Sequence, residues 1–266
     1  MHKNTGLHVV FSRERICDDV LQMLASVDDN VQDELLPRAR AMLRTIIVPQ
    51  RVNTDAHGFP TCSNACALTQ RSQPALLSRY TPVSIAGDGN CLFRAVSVAL
   101  YGDETHHMHI RALAAMEVLG HSLWLDTTLP NCMHPLSDNP YIVLPDYPSL
   151  CTKICGLRKS CGVSTIVAIS SITGVPIQTF WPPLAGSLET EPLTIRIVGR
   201  DVYNTTRGIT VMWSSCGPVQ GTGPVEINHF VPLLSAVANC KPESVIAVYN
   251  IPGSLGVAVI LLSHLM

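Results

Sequence analysis

The run Gly87-Asp88-Gly89-Asn90-Cys91 leads directly into Leu92-Phe93-Arg94-Ala95-Val96-Ser97-Val98-Ala99-Leu100, so a turn of small polar residues opens onto a dense apolar stretch. This pattern predicts a buried helix whose first turn carries a thiol. A cysteine attacks only as thiolate, and the unpaired N–H groups and dipole at a helix start lower a thiol's pKa. Cys91 has that placement. Gly89 permits a tight turn in front of it, so the amides of the Asp88 to Cys91 turn are expected to converge where an oxyanion would form. Phe93, Val96 and Leu100 are expected to anchor the helix in the core. On these residues alone, Cys91 also reads as a small buried residue at a helix start.

A thiol nucleophile takes its base from elsewhere in the fold, and the chain offers ten histidines. His229 fits best, in the β-prone run Asn228-His229-Phe230-Val231-Pro232-Leu233-Leu234. His106, His107 and His109 form a denser cluster, but neighbours one or two apart on a helix diverge, and the reading there is an exposed helix start. Cys151, Cys155 and Cys161, with Cys132 and His134 upstream, match no zinc-finger, ribbon or RING spacing. No metal site and no cofactor are expected.

The seven contiguous residues Asp88-Gly89-Asn90-Cys91-Leu92-Phe93-Arg94 resemble the signature of the ovarian tumour (OTU) family of cysteine proteases. The likeness extends to Tyr101-Gly102, to the helix with His109 and Arg111, to Ile166 through Phe180 and to Asn228-His229-Phe230, spanning roughly residues 80 to 236. The resemblance implies a papain-like α+β fold and a thiol protease of the ubiquitin conjugation pathway. Such a deubiquitinase hydrolyses isopeptide or peptide bonds after the C-terminal glycine of ubiquitin or a ubiquitin-like protein. It implies Cys91 as nucleophile and His229 as base, and it carries Asp88 into the active site, with Gly89, Asn90 and Asn228 in supporting positions.

Many OTU proteases place an Asp or Asn two residues after the histidine, where this chain has Val231. In a regular strand Val231 shares the face of His229 while Asn228 faces away, so the site is either a Cys-His dyad or is oriented from another loop. The runs Val175 to Pro182, Ile209 to Trp213, Asn228 to Leu234 and Leu24 to Gln32 are also similar to vertnin-like proteins. That second likeness admits an alternative function: a catalytically weak or inactive OTU-fold binding module in a regulatory or mobile-element protein.

Several elements must position these residues. Apolar spacing predicts a helical pair from about Ile16 to Ile47, and the polar, proline-containing stretch from Val48 to about Tyr80 reads as a connector. After Cys91 a second helix is expected from near Thr105 to a left-handed cap at Gly120, then a proline-rich segment from Asp126 to Gly162 without clear assignment. A helix over Ser164–Thr173 ends at Gly174. Strands are expected at Val175–Phe180, Leu193–Ile197, Ile209–Trp213 and Asn228–Leu234. Helices first and strands later predict the α+β class. The expected organisation is an N-terminal helical extension and connector over 1–79, an OTU-like catalytic domain over 80–236 and a hydrophobic tail over 237–266.

With 47% hydrophobic and 14% charged residues in a chain of 266, the composition is that of a globular protein. A formal net charge of -2 with scattered lysines and arginines excludes the basic footprint of a nucleic-acid binder. Lys3, Arg13, Glu14 and Arg15 interrupt any secretory signal, which points to cytoplasm or nucleus and to ten cysteines held as thiols. From Ser244 to Met266 no residue is charged apart from the titratable His264, yet Asn250, Pro252, Gly253 and Gly256 break the apolar run, so a buried final strand or a poorly defined terminus is expected there rather than a membrane span.

Overall fold

A computed structural model of the chain describes residues 5–26, 32–46, 51, 55–137, 139, 142, 144–182, 193–203, 206, 208–217, 219 and 225–236. The helical pair that opens it is α1 (Thr5–Ala25) and α2 (Gln32–Leu43), followed by α3 (Ser63–Ser72), the single turn α4 (Pro74–Leu77) and strand β1 (Tyr80–Pro82). Next come α5 (Cys91–Tyr101), α6 (His107–Gly120), the short α7 (Ser122–Leu125), α8 (Tyr147–Cys155) and α9 (Val163–Thr173). Four strands close the described chain: β2 (Ile177–Phe180), β3 (Arg196–Ile197), β4 (Ile209–Ser214) and β5 (His229–Ser235). The expected α+β class is borne out.

The ends of the helices follow local chemistry. Gly102 at φ +79 and Gly174 at φ +65 supply left-handed caps for α5 and α9, a conformation that costs little without a Cβ. The Asp146 carboxylate accepts from the Ser149 amide at 2.9 Å, and Pro148 sits in the first turn, which starts α8 inside the segment that periodicity left unassigned.

The sheet has strand order β1-β5-β4-β2-β3, with β2 and β4 parallel and the other pairs antiparallel. The β4–β5 register sets Ser214 opposite His229, Trp213 opposite Phe230 and Met212 opposite Val231. On one face Val211, Phe230 and Leu234 join the α5 residues Leu92, Phe93 and Val96 in the main core. On the other, Met212, Val231 and Leu233 close over Ala65 and Leu68 of α3. Each large side chain buried in this way contributes about 1.5–3 kcal/mol. Cys17, Val20, Leu21 and Leu24 of α1 and Ala39 and Leu43 of α2 belong to the same main cluster, and both helices pack against α6. The interior strands β4 and β5 are therefore held between two apolar layers, with α5 in one and α3 in the other.

Three local expectations are corrected. The 48–80 stretch holds α3, α4 and the start of β1, because the small residues that weaken its periodicity also let α3 lie close under the sheet. Gly120 is the last residue of α6, and the cap is His121 at φ -139, so no left-handed residue ends that helix. In the run Leu193–Ile197 only Arg196 and Ile197 form a strand, since the Thr179 hydroxyl binds the carbonyls of Leu193 and Ile195 and disrupts a regular ladder. The 237–266 tail lies outside the described residues. Among the described residues no helix is long and apolar enough to cross a membrane.

Candidate active site

Cys91 is the first residue of α5 and is 4% exposed. The backbone N–H groups of Phe230 and Leu92 point at its sulfur, which brings the helix start against β5. These two amides pull the thiol's pKa down, but burial and the neighbouring Cys216 and Asp88 push it up, and the net direction is upward. The lowering expected from the helix start is thus overridden by desolvation.

The turn before Cys91 is braced from three sides. Gly89 has φ +81, and a Cβ there would collide with the Arg158 carbonyl, so only glycine fits between the turn and the 156–160 segment. The Asp88 carboxylate accepts from Arg94 at 2.7 and 3.2 Å and from the Asn90 amide at 3.0 Å. Arg94 holds Asp88 well below the usual carboxylate range and also reaches Glu104 at 3.0 Å. The Asn90 N–H is consequently committed to Asp88, which corrects the expectation that every amide of the turn converges on one spot. The buried Asn90 side chain accepts from Arg111 at 2.6 Å. Arg111 is fully buried and also donates to the carbonyls of Lys153 at 2.7 Å, Ile154 at 3.0 Å, Lys159 at 3.0 Å and Gly156. One guanidinium thereby ties the turn to the end of α8 and the segment after it.

His229 is the first residue of β5 and 5% exposed. Its Nδ1 and Cε1 lie 3.7 Å from where a Cβ on Gly87 would sit, and the Cys216 sulfur lies 2.7 Å from the same point. The missing side chain of Gly87 leaves room for the imidazole beside the turn that carries Cys91. Burial lowers the pKa of His229, partly opposed by the charge of Asp88. A thiol pushed up and an imidazole pushed down favour a neutral pair at rest, with the imidazole free to accept the sulfur's proton.

The structure brings Asp88, Gly89, Asn90, Cys91 and His229 into one place. Asn228 serves differently: its Oδ1 accepts from the Cys216 amide at 3.1 Å and braces the end of β4. Val231 is fully buried among Ala65, Leu68 and Met212. Neither residue orients the imidazole, and Nδ1 of His229 is buried without a hydrogen-bond partner. Sequence reasoning missed Cys216, which no spacing signal marks, and the bracing by Arg111, whose position on the helix was visible but whose burial was not.

The histidine cluster is buried rather than exposed, with His106, His107 and His109 at 4%, 5% and 6%. Packing of α1 over α6 explains this: Arg13 lies 3.0 Å from the His106 ring, which also meets the Tyr101 ring in a tilted contact at 4.8 Å. His107 Nδ1 is 2.8 Å from the Glu104 carbonyl, so the rings point to different partners. Cys155 and Cys161 lie beside Arg111 in the core. Among the described residues no group of three or more histidines, cysteines or carboxylates is placed to hold a metal ion.

Comparison with known proteins sets this geometry in context. A family model described as the OTU domain of Vertnin matches residues 82–134, a span that contains the whole Asp88–Arg94 run and Arg111. The resemblance to OTU domains and to vertnin-like proteins is borne out by that match. No curated protein matches the chain. Among solved structures, the OTU domain of OTUD1 is similar at 20% identity, with 65% of this chain and 95% of that one covered and a TM-score of 0.40. The viral OTU domain protease from Dera Ghazi Khan virus is similar at 12% identity over 60% of this chain and 83% of that one, with a TM-score of 0.35. The Hazara virus OTU bound to ubiquitin is similar at 12% identity over 61% of this chain and 85% of that one, with a TM-score of 0.34.

Proposed function

We propose that this OTU-like chain is a cysteine deubiquitinase that hydrolyses isopeptide or peptide bonds after the C-terminal glycine of ubiquitin or a ubiquitin-like protein. The observation that carries the reading is the meeting of Cys91, at the start of a buried helix, with the His229–Phe230 strand start. In this reading His229 takes the thiol proton as sulfur attacks the glycine carbonyl carbon. The C–N bond to the lysine breaks, His229 protonates the departing amine, and a thioester remains. Water, deprotonated by the same imidazole, then hydrolyses the thioester to release the carboxylate and restore the thiol.

With the Asn90 amide held by Asp88, the donors left to the oxyanion are the amides of Asp88, Gly89 and Cys91. Asp88 acts as the brace of that turn, through Arg94 and Asn90, and needs no part in proton transfer. The reaction so written requires no cofactor.

The test is a ubiquitin probe bearing a C-terminal electrophile. Wild type is expected to form a covalent adduct and Cys91→Ala none, with thermal stability changed by no more than about 1–2 kcal/mol. An adduct at another cysteine, or none in wild type, would remove the assignment.

A second reading is favoured by the raised pKa of Cys91 and the unpartnered Nδ1 of His229: a catalytically weak or inactive module that binds ubiquitin or another partner. It predicts saturable ubiquitin binding by wild type and Cys91→Ala alike, with no adduct in either.

A further inference from the structure

We propose that Cys216 is an oxidant-sensing thiol: hydrogen peroxide converts it to a sulfenic acid, and Cys91 condenses with it to a disulfide that holds the nucleophile inactive until a dithiol reduces it. This rests on the reading of Cys91 as nucleophile and His229 as base.

Cys216 is exposed, whereas Cys91 is 4% exposed. The place of Cys216 beside the site is built. The Asn64 side chain donates to the carbonyls of Ser215 at 3.1 Å and Gly217 at 2.9 Å, and the Asn228 side chain accepts from the Cys216 amide at 3.1 Å, so the backbone is held on both sides of the thiol. The Cys216 sulfur and the Nδ1–Cε1 edge of His229 lie within 4 Å of one point, where Gly87 lacks a Cβ. Cys216 is also close enough to Cys91 for its charge to act on that sulfur, which receives the amides of Phe230 and Leu92. An exposed thiol, a buried thiol and a base therefore share one corner of the fold. Cys62, the residue before α3, is a second neighbour of Cys216, but the imidazole stands at the Cys91 side, where it can carry a proton.

The chemistry balances with peroxide as the oxidant. The Cys216 sulfur attacks one peroxide oxygen, the O–O bond breaks, and the departing hydroxide leaves as water with the thiol's proton. Cys91 then gives its proton to His229 and attacks the Cys216 sulfur. The S–S bond forms, the S–O bond breaks, and the leaving hydroxide takes the proton from His229 as a further molecule of water. Each sulfur is oxidised by one electron and the peroxide is reduced to water. Desolvation, Cys62 and Glu226 push the Cys216 thiol up, so the first step is slow and answers sustained peroxide rather than a trace.

The experiment treats the full chain with hydrogen peroxide, blocks the remaining thiols and maps disulfides by mass spectrometry of unreduced peptides, with turnover of a fluorogenic ubiquitin amide followed in parallel. Wild type is expected to yield a Cys91–Cys216 peptide and to lose activity that dithiothreitol restores. Cys216→Ser should lose activity at least about tenfold more slowly relative to its own untreated rate, because the buried, raised-pKa Cys91 is left to react with peroxide directly. Cys62→Ser should still form the Cys91–Cys216 link. A Cys62–Cys216 disulfide in wild type, oxidation of Cys91 with Cys216 left free, or equal inactivation of wild type and Cys216→Ser would overturn the proposal. If the untreated chain fails to react with the ubiquitin probe, the deubiquitinase reading falls, yet the peptide map needs no substrate and still decides whether Cys91 and Cys216 pair.

Discussion

Replacing Gly89 by alanine tests whether the fit of the catalytic turn against the 156–160 segment sets the rate. Two contributions can be separated. The left-handed conformation at φ +81 costs an alanine about 1 kcal/mol, and the same holds at Gly174, φ +65. At Gly174 a Cβ meets nothing within 4 Å, whereas at Gly89 it runs into the Arg158 carbonyl. Relief of that overlap requires the turn or the facing segment to move by about 1 Å, and a displacement of that size at a reacting group costs about a hundredfold in rate. Gly89→Ala should therefore lose about 1–3 kcal/mol of stability and about a hundredfold in kcat/KM. Gly174→Ala should lose about 1 kcal/mol and no activity. Urea denaturation and turnover of a fluorogenic ubiquitin amide measure both. Cleavage by Gly89→Ala within about threefold of wild type would refute the claim that this contact positions the nucleophile, since even one lost hydrogen bond gives that much.

Two other outcomes follow from burial. Val231→Asn places an amide among Ala65, Leu68 and Met212 and should cost about 1–3 kcal/mol while giving no gain in cleavage; a faster variant, measured in the same assay, would mean that His229 is unoriented in wild type. Burial lowers His107, His109 and His134 to about 4 each, below the ordinary value near 6.5, so the folded state holds them neutral. Their contribution is complete above about pH 6.5 and is lost as pH falls toward 4, at up to about 1.4 kcal/mol per pH unit for each group. Denaturation midpoints that stay flat across that window would contradict the burial of these rings.

The parts of the fold visible in the sequence were those where one residue type settles a local choice. Gly174 sits at a φ value that glycine adopts freely, and the β-prone run Ile209–Trp213 forms the strand β4. Elements that depend on a distant partner were not visible. Helix α3 has too few large apolar residues to announce itself, and it is held because Ala65 and Leu68 fit beneath β4 and β5. The histidines at the start of α6 looked exposed because a polar triplet on a helix usually is. They are buried only because α1 lies across them, a contact bridging residues 93 positions apart at Arg13 and His106.

The same division runs through the site. Spacing and resemblance singled out Cys91 and its turn, since the turn's chemistry is contained in consecutive residues. They misjudged its electrostatics, because a helix start lowers a thiol's pKa only while water still reaches it, and at 4% exposure the desolvation of the thiolate is the larger effect. His229 moves in the opposite direction for the same physical reason, as burial disfavours the imidazolium. The two shifts together disfavour a stored ion pair, so proton transfer from sulfur to imidazole has to accompany attack on the carbonyl. Under that condition the reaction depends on how well the imidazole and the thiol are aligned at the moment of attack. The alignment comes from groups far apart in sequence: Arg111 holding Asn90, the Arg158 carbonyl against Gly89, and Gly87 making room for the ring.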